Sequence, residues 1–99
     1  MSCRLAVAIV GAGLALVTGG VHAQDAKAAE AKAKEAGCLG CHAVATKKAG
    51  PAFREVAKKY PKQGDKIVAA LKADKDHADV IKDLKGDDLK LIADWIASL

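Results

Sequence analysis

Apolar residues are distributed along this chain in two ways. Positions 5–17 form one unbroken apolar run with no charged or polar side chain. Beyond it, apolar residues recur at helical spacing between charged ones. The run follows a short start whose only charge is Arg4, is interrupted by Thr18, Gly19 and Gly20, and leads to Val21-His22-Ala23. Small residues at that point predict a secretory leader cleaved after Ala23. A spanning helix needs about 20 consecutive apolar residues, so a retained membrane anchor is the weaker reading, and no stable membrane insertion is expected once the leader is gone. Cys3 lies ahead of the run, the wrong side for the lipid-bearing Cys of a lipoprotein, and reads as a passenger thiol.

The pattern after the leader predicts helices. Positions 25–36 are Ala, Lys and Glu without a β-branched residue, begin beside an acid, and stop at Gly37, which suits a C-terminal cap. Positions 51–60 predict a short helix with Pro51 in its first turn and Phe53, Val56 and Ala57 on one side, ended by Pro61. Asp65 is placed to cap a third helix with Ile67, Val68 and Leu71 as its stripe, ahead of a charged run at 72–76. Asp87 and Asp88 open the last, on which Leu89, Ile92, Ile96 and Leu99 share a face widened by Leu91 and Trp95. Trp95, Ile92 and Ile96 are expected to bury against the alanines of 25–36. His77, Val80, Ile81 and Leu84 also have helical spacing, so the segment between the third and last helices is either a loop or a further short helix. No repeat or linker divides positions 24–99, which read as one all-α domain.

Composition sharpens this picture. Of 99 residues 52% are apolar but only 3% aromatic. Removing 1–23 leaves no Met, two Cys, two His and one each of Phe, Tyr and Trp. At this size a side-chain core alone rarely supplies more than about 3 to 5 kcal/mol. Export permits a disulfide, but only one can form, so the deficit points to a bound cofactor.

Cys38-Leu39-Gly40-Cys41-His42 carries the candidate chemistry. Two Cys three apart can reach the two vinyl groups on one edge of a haem and bond to it as thioethers, with the adjacent imidazole placed to bind the iron. A redox Cys-x-x-Cys prefers a βαβ setting, which this composition does not offer. A zinc site needs four ligands at finger-like spacing, whereas His42 abuts Cys41 and His77 lies 35 residues further on. A structural disulfide in a haem-free helical protein leaves the adjacent His unexplained.

These residues resemble the small bacterial class I cytochromes c. The likeness spans nearly all of 24–99: a helix running into the haem motif, Gly50-Pro51-Ala52-Phe53, Val56-Ala57-Lys58-Lys59-Tyr60, and a terminal Leu91-Ile92-Ala93-Asp94-Trp95-Ile96. The resemblance implies a fold of about four short helices around one haem c held covalently through Cys38 and Cys41. It also implies that the Pro51 carbonyl holds the ring N–H of His42, the proximal ligand, and that the last helix crosses the first. The chain departs from the family at the sixth ligand, a Met there, because its only Met is the initiator. His77, the remaining imidazole, lies in the segment where the family keeps that Met, so the iron is expected between His42 and His77. Lys72 or Lys75 is a poorer substitute, since a lysine must first lose its proton.

Charge is uneven. Positions 24–73 hold eleven basic and five acidic residues, and 74–99 hold four and seven. Lys47, Lys48, Lys58, Lys59 and Lys62 either form a basic rim that steers acidic redox partners or keep a small protein soluble. Nucleic acid is not expected, because no aromatic residues interleave with the basic ones. The expected function is a monomeric periplasmic carrier of single electrons, not an enzyme, exchanging them with multihaem or membrane-bound cytochromes, reductases or oxidases. Bis-His members of the family imply a low potential and a respiratory or metal- and iron-oxidising chain. The competing class is a haem protein whose sixth site is open or labile and takes a gas or peroxide.

Overall fold

The computed structural model describes residues 23–99, so the expected leader lies outside the described residues up to Ala23. Among the described residues the elements are α1 (Ala23–Ala36), a 3₁₀ turn (Cys38–Gly40), α2 (Phe53–Lys59), α3 (Gly64–Ala73), α4 (Lys75–Ile81) and α5 (Gly86–Ala97), with no strand. The all-α expectation holds, with one helix more than four: the segment carrying His77 is helical.

Each helix boundary has a local cause. α1 is built of strong helix formers and stops where Gly37 takes a left-handed φ of 92°, its N–H donating to the Lys34 carbonyl at 3.1 Å. α2 starts two residues later than the pattern predicts, and no side chain caps it. The N–H groups of Phe53 and Arg54, which lack intrahelical partners, donate instead to the carbonyls of Ala43 and Val44 at 2.9 and 3.0 Å. The start of α2 is thus stitched to the loop that follows Cys38–His42.

Asp65 does not cap α3; it sits inside the first turn, and the N-cap Gln63 makes no side-chain bond. Contact with α5 places this start. A Cβ on Gly64 would collide with the Asp94 carboxylate and lie 3.1 Å from the Asp94 Cα, so only glycine lets α3 approach α5 here. Lys90 lies 3.4 Å from Asp94 and 3.7 Å from Asp65, bridging the helices. Both carboxylates, Asp94 more strongly, push the Lys90 ammonium above its ordinary value. α4 is capped by Asp74, which accepts from the Asp76 N–H at 3.0 Å.

α5 packs against α1, α2 and α3. Ala29 and Ala33, one turn apart on α1, have no exposed surface, which lets α5 approach closely. Ile92, Trp95 and Ile96 belong to the same buried cluster, as expected, together with Phe53 and Ile67. Trp95 meets the Phe53 ring edge-on at 5.7 Å and 76°. Lys32 and Asp88, 3.3 Å apart, tie α1 to α5 at the rim. Leu99 does not join the buried face: α5 ends at Ala97 and Leu99 is 37% exposed. Ser98 turns the chain away, its N–H and hydroxyl both donating to the last-turn carbonyls of α5.

Truncating Trp95 to Ala is expected to cost about 3 to 5 kcal/mol, whereas Leu99→Ala is expected to stay within about 0.5 kcal/mol of the parent. Chemical denaturation of the two variants checks both.

Candidate functional site

The turn after α1 sets the first two side chains. The Cys38 carbonyl accepts from the N–H groups of Cys41 at 3.3 Å and His42 at 3.0 Å. Residues i and i+3 of a 3₁₀ turn eclipse one another, so Cys38 and Cys41 project to one side, and both line the same cavity as His42. Both are free thiols, Cys38 half-buried and Cys41 exposed. Burial pushes the Cys38 thiol above its ordinary value, and its backbone hydrogen bond acts in the opposite direction. Among the described residues, no group of three His, Cys, Asp or Glu side chains is disposed to hold a metal ion, so the zinc reading finds no ligand set.

His42 is held from several directions. Its Nδ1 lies 2.6 Å from the Pro51 carbonyl oxygen. A carbonyl can only accept, so Nδ1 carries the proton and Nε2 is left as a lone-pair donor. Gly50 passes directly against the ring: a Cβ there would collide with Cε1 and come within 2.8 Å of both ring nitrogens. The Gly50 N–H donates to the Cys41 carbonyl at 2.7 Å, and the Gly50 carbonyl accepts from the Lys48 N–H at 3.0 Å. Lys48 Nζ donates to the Leu39 carbonyl at 3.1 Å, closing the loop over the turn. The Phe53 ring stacks on the imidazole at 5.1 Å and 22°.

His77 projects from α4 toward the same cavity. Its Nδ1 lies 2.7 Å from Asp74 Oδ2, so the carboxylate accepts from Nδ1 and Nε2 is again free. The contact with His77, and then the Asp76 N–H, hold the Asp74 carboxyl below the usual carboxylate range. The two imidazole centroids are 6.1 Å apart, with ring planes inclined by 28°. Lys72 and Lys75 do not line the cavity.

The cavity has a volume of about 480 Å³, within the range of about 300 to 1,000 Å³ for sites that take cofactors. Its walls are apolar: Phe53 and Val56 from α2, Ile67 and Leu71 from α3, Val80 and Ile81 from α4, Ile92 and Ile96 from α5. Cys38, Cys41, His42, Pro51 and His77, the five residues singled out in the sequence, all line it. Sequence reasoning missed the contribution of two others. Gly50 reads there only as half of a Gly-Pro pair, and Asp74 only as one of a charged run; an acid three residues before His77 was the available signal. The lysines of the expected basic rim are partly engaged. Lys48 ties the loop, Lys58 lies 3.3 Å from Glu55, and Lys59 sits over the Tyr60 ring.

A family model described as cytochrome c matches residues 26–99. Over 38 residues the chain is 47% identical to cytochrome c-552 of Hydrogenobacter thermophilus, covering 38% of this chain and 39% of that protein. Over 50 residues it is 44% identical to cytochrome c-551 of Pseudomonas aeruginosa, covering 48% of each. The chain thus spans less than half the length of these relatives. No solved structure matches it. Since the family match runs from the first turns of α1 through the last residue of the chain, the protein belongs to the cytochrome c family, in which one haem c is held covalently through cysteine thioethers.

Proposed function

We propose that this chain is an exported, monomeric, monohaem c-type cytochrome that carries single electrons between larger redox proteins, with its iron between His42 and His77. One observation carries the axial assignment. Two imidazoles that donate to one metal from opposite sides, at metal–nitrogen distances of about 2.0 to 2.1 Å, have centroids about 6 Å apart. The His42 and His77 rings stand at 6.1 Å. Each has Nδ1 engaged by an oxygen, from Pro51 or Asp74, and Nε2 available. The other residues fit a haem as well: apolar walls, a cavity of about 480 Å³, and two thiols on one side of a turn at its edge.

When bound, haem c supplies a ferric/ferrous couple that takes up or releases one electron. Cys38 and Cys41 tether it, so it is not lost from so small a protein. The Pro51 carbonyl and the Asp74 carboxylate fix the two imidazole tautomers and orientations. The apolar walls suit the flat, largely apolar macrocycle. With His42 and His77 both holding the iron, no position would be left for a substrate, which supports a carrier over an enzyme and over a gas- or peroxide-binding protein. A second imidazole favours ferric iron more than a thioether does, within the roughly 0.8 V that axial ligands span, so the potential is low.

The leader-like start at 1–23 supports export to the periplasm with cleavage after Ala23. Among the described residues, no helix is long and apolar enough to cross a membrane. Multihaem or membrane-bound cytochromes, reductases and oxidases of a respiratory or metal-oxidising chain are the partner classes a low-potential carrier suits.

Denaturing acid extraction should leave the haem on the polypeptide, with a mass one haem above the chain. Cys38→Ala and Cys41→Ala should each impair retention; release of haem from the parent would refute the thioethers. His77→Ala should convert low-spin iron to a high-spin form that binds carbon monoxide, and His77→Met should raise the potential if its sulfur reaches the iron. An unchanged spectrum in His77→Ala would return the reading to an open or differently ligated site. Gly50→Ala, by displacing the His42 ring, should lower the yield of haem-loaded protein more than the exposed change Lys47→Ala, as read by the haem-to-protein absorbance ratio.

A further inference from the structure

We propose that Asp74 positions the second axial imidazole and lowers the reduction potential through the hydrogen bond it accepts from His77. This rests on the reading that His77 is the sixth ligand. Asp74 is the single residue between α3 and α4, serving as C-cap of the first and N-cap of the second, in an extended conformation (φ −91°, ψ 121°). Its two carboxylate oxygens have different tasks. Oδ1 accepts from the Asp76 N–H at 3.0 Å and so fixes where α4 begins. Oδ2 accepts from His77 Nδ1 at 2.7 Å and so fixes the rotation of the ring one turn later.

Little else orients that ring. α4 is seven residues long and buries none of them. Among the described residues, no lysine or arginine lies within ion-pair distance of Asp74, so the carboxylate charge is not diverted from His77. His42 differs: its acceptor is the neutral Pro51 carbonyl, and its ring is also confined by Gly50 and Phe53. A hydrogen bond to a carboxylate is shorter and stronger than one to a neutral acceptor. A carboxylate on the far nitrogen also makes an imidazole a better donor to a metal. Asp74 therefore stabilises ferric over ferrous iron from the His77 side, while the carbonyl on the His42 side mainly orients.

Asp74→Ser is the informative variant. Serine is a good N-cap, so α4 keeps an oxygen for the Asp76 N–H, but the side chain is shorter, uncharged and unable to span to His77. In the holoprotein, three quantities are measured: the reduction potential, the rate at which cyanide displaces the sixth ligand from ferric iron, and the thermal midpoint. The expected result is a more positive potential and cyanide binding faster on the order of 10- to 100-fold, with the midpoint close to the parent. Asp74→Asn, isosteric and uncharged, should shift the potential in the same direction and serves if the serine variant takes up no haem. A potential and cyanide rate equal to the parent in both variants, where His77→Ala still opens the iron to carbon monoxide, would mean that Asp74 only caps a helix and would overturn this proposal alone. A His77→Ala variant with the parent spectrum would overturn the axial assignment and this proposal together.

Discussion

The close approach of the Gly50 backbone to the His42 ring is the constraint on which most of this small structure hangs. It exists because the Gly50 N–H is bonded to the Cys41 carbonyl, which folds the loop 43–50 back over the turn that carries both cysteines. Once the loop is folded, Pro51 follows with its carbonyl on His42 Nδ1, and Ala43 and Val44 offer their carbonyls to the first turn of α2. Phe53, the first residue of α2, then lies between the His42 ring and the edge of Trp95. Trp95 belongs to the face of α5 that packs with Ala29 and Ala33. One line of contacts thus runs from the candidate site to the crossing of the first and last helices.

The same line explains why so few bulky side chains suffice. Phe53, Ile67, Ile92 and Ile96 are buried and also form part of the cavity wall. The core is therefore one layer thick between α1 and the cavity, and whatever fills the cavity completes it. Alanine on α1 is what allows the layer to be thin: a larger residue at Ala29 or Ala33 would move α5 outward and open the wall on its other side. Val80 is 43% exposed and, with Ile81 and Leu84, leaves an apolar edge of the cavity at the surface.

How much of this the sequence revealed depends on whether the cause was local. α1, its stop at Gly37 and the apolar stripe of α5 follow from residues adjacent in the chain or one turn apart, and they appear where the pattern places them. The Cys38-x-x-Cys41-His42 turn is legible for the same reason. Boundaries set by distant backbone are not. α2 begins at Phe53 because Ala43 and Val44 cap it, and α3 begins at Gly64 because Asp94 stands opposite; neither contact leaves a mark in the local pattern, so Pro51 and Asp65 look like the natural starts. Leu99 continues the helical spacing of its neighbours, and only the Ser98 turn removes it from the face. The Gly50 contact was illegible because a glycine next to a proline is adequately explained by a turn.

The two imidazoles are held with unequal rigidity, and the asymmetry follows from where each sits in the chain. His42 is confined by its own turn, by Gly50, by Pro51 and by Phe53. α4 has no buried residue, and its direction is set by one extended residue, Asp74, at the end of α3. α3 itself is anchored, through Gly64 against Asp94 and through Lys90 against Asp65 and Asp94. The junction therefore sets the direction of α4, while α3 packs on α5. A group bound in the cavity would meet the apolar wall and His42 on one side, and on the His77 side a short helix that packs on α3 and lines the cavity with Val80 and Ile81. Burial of Val80, Ile81 and Leu84 against a group in the cavity and engagement of His77 would then reinforce each other, since all four line the same cavity.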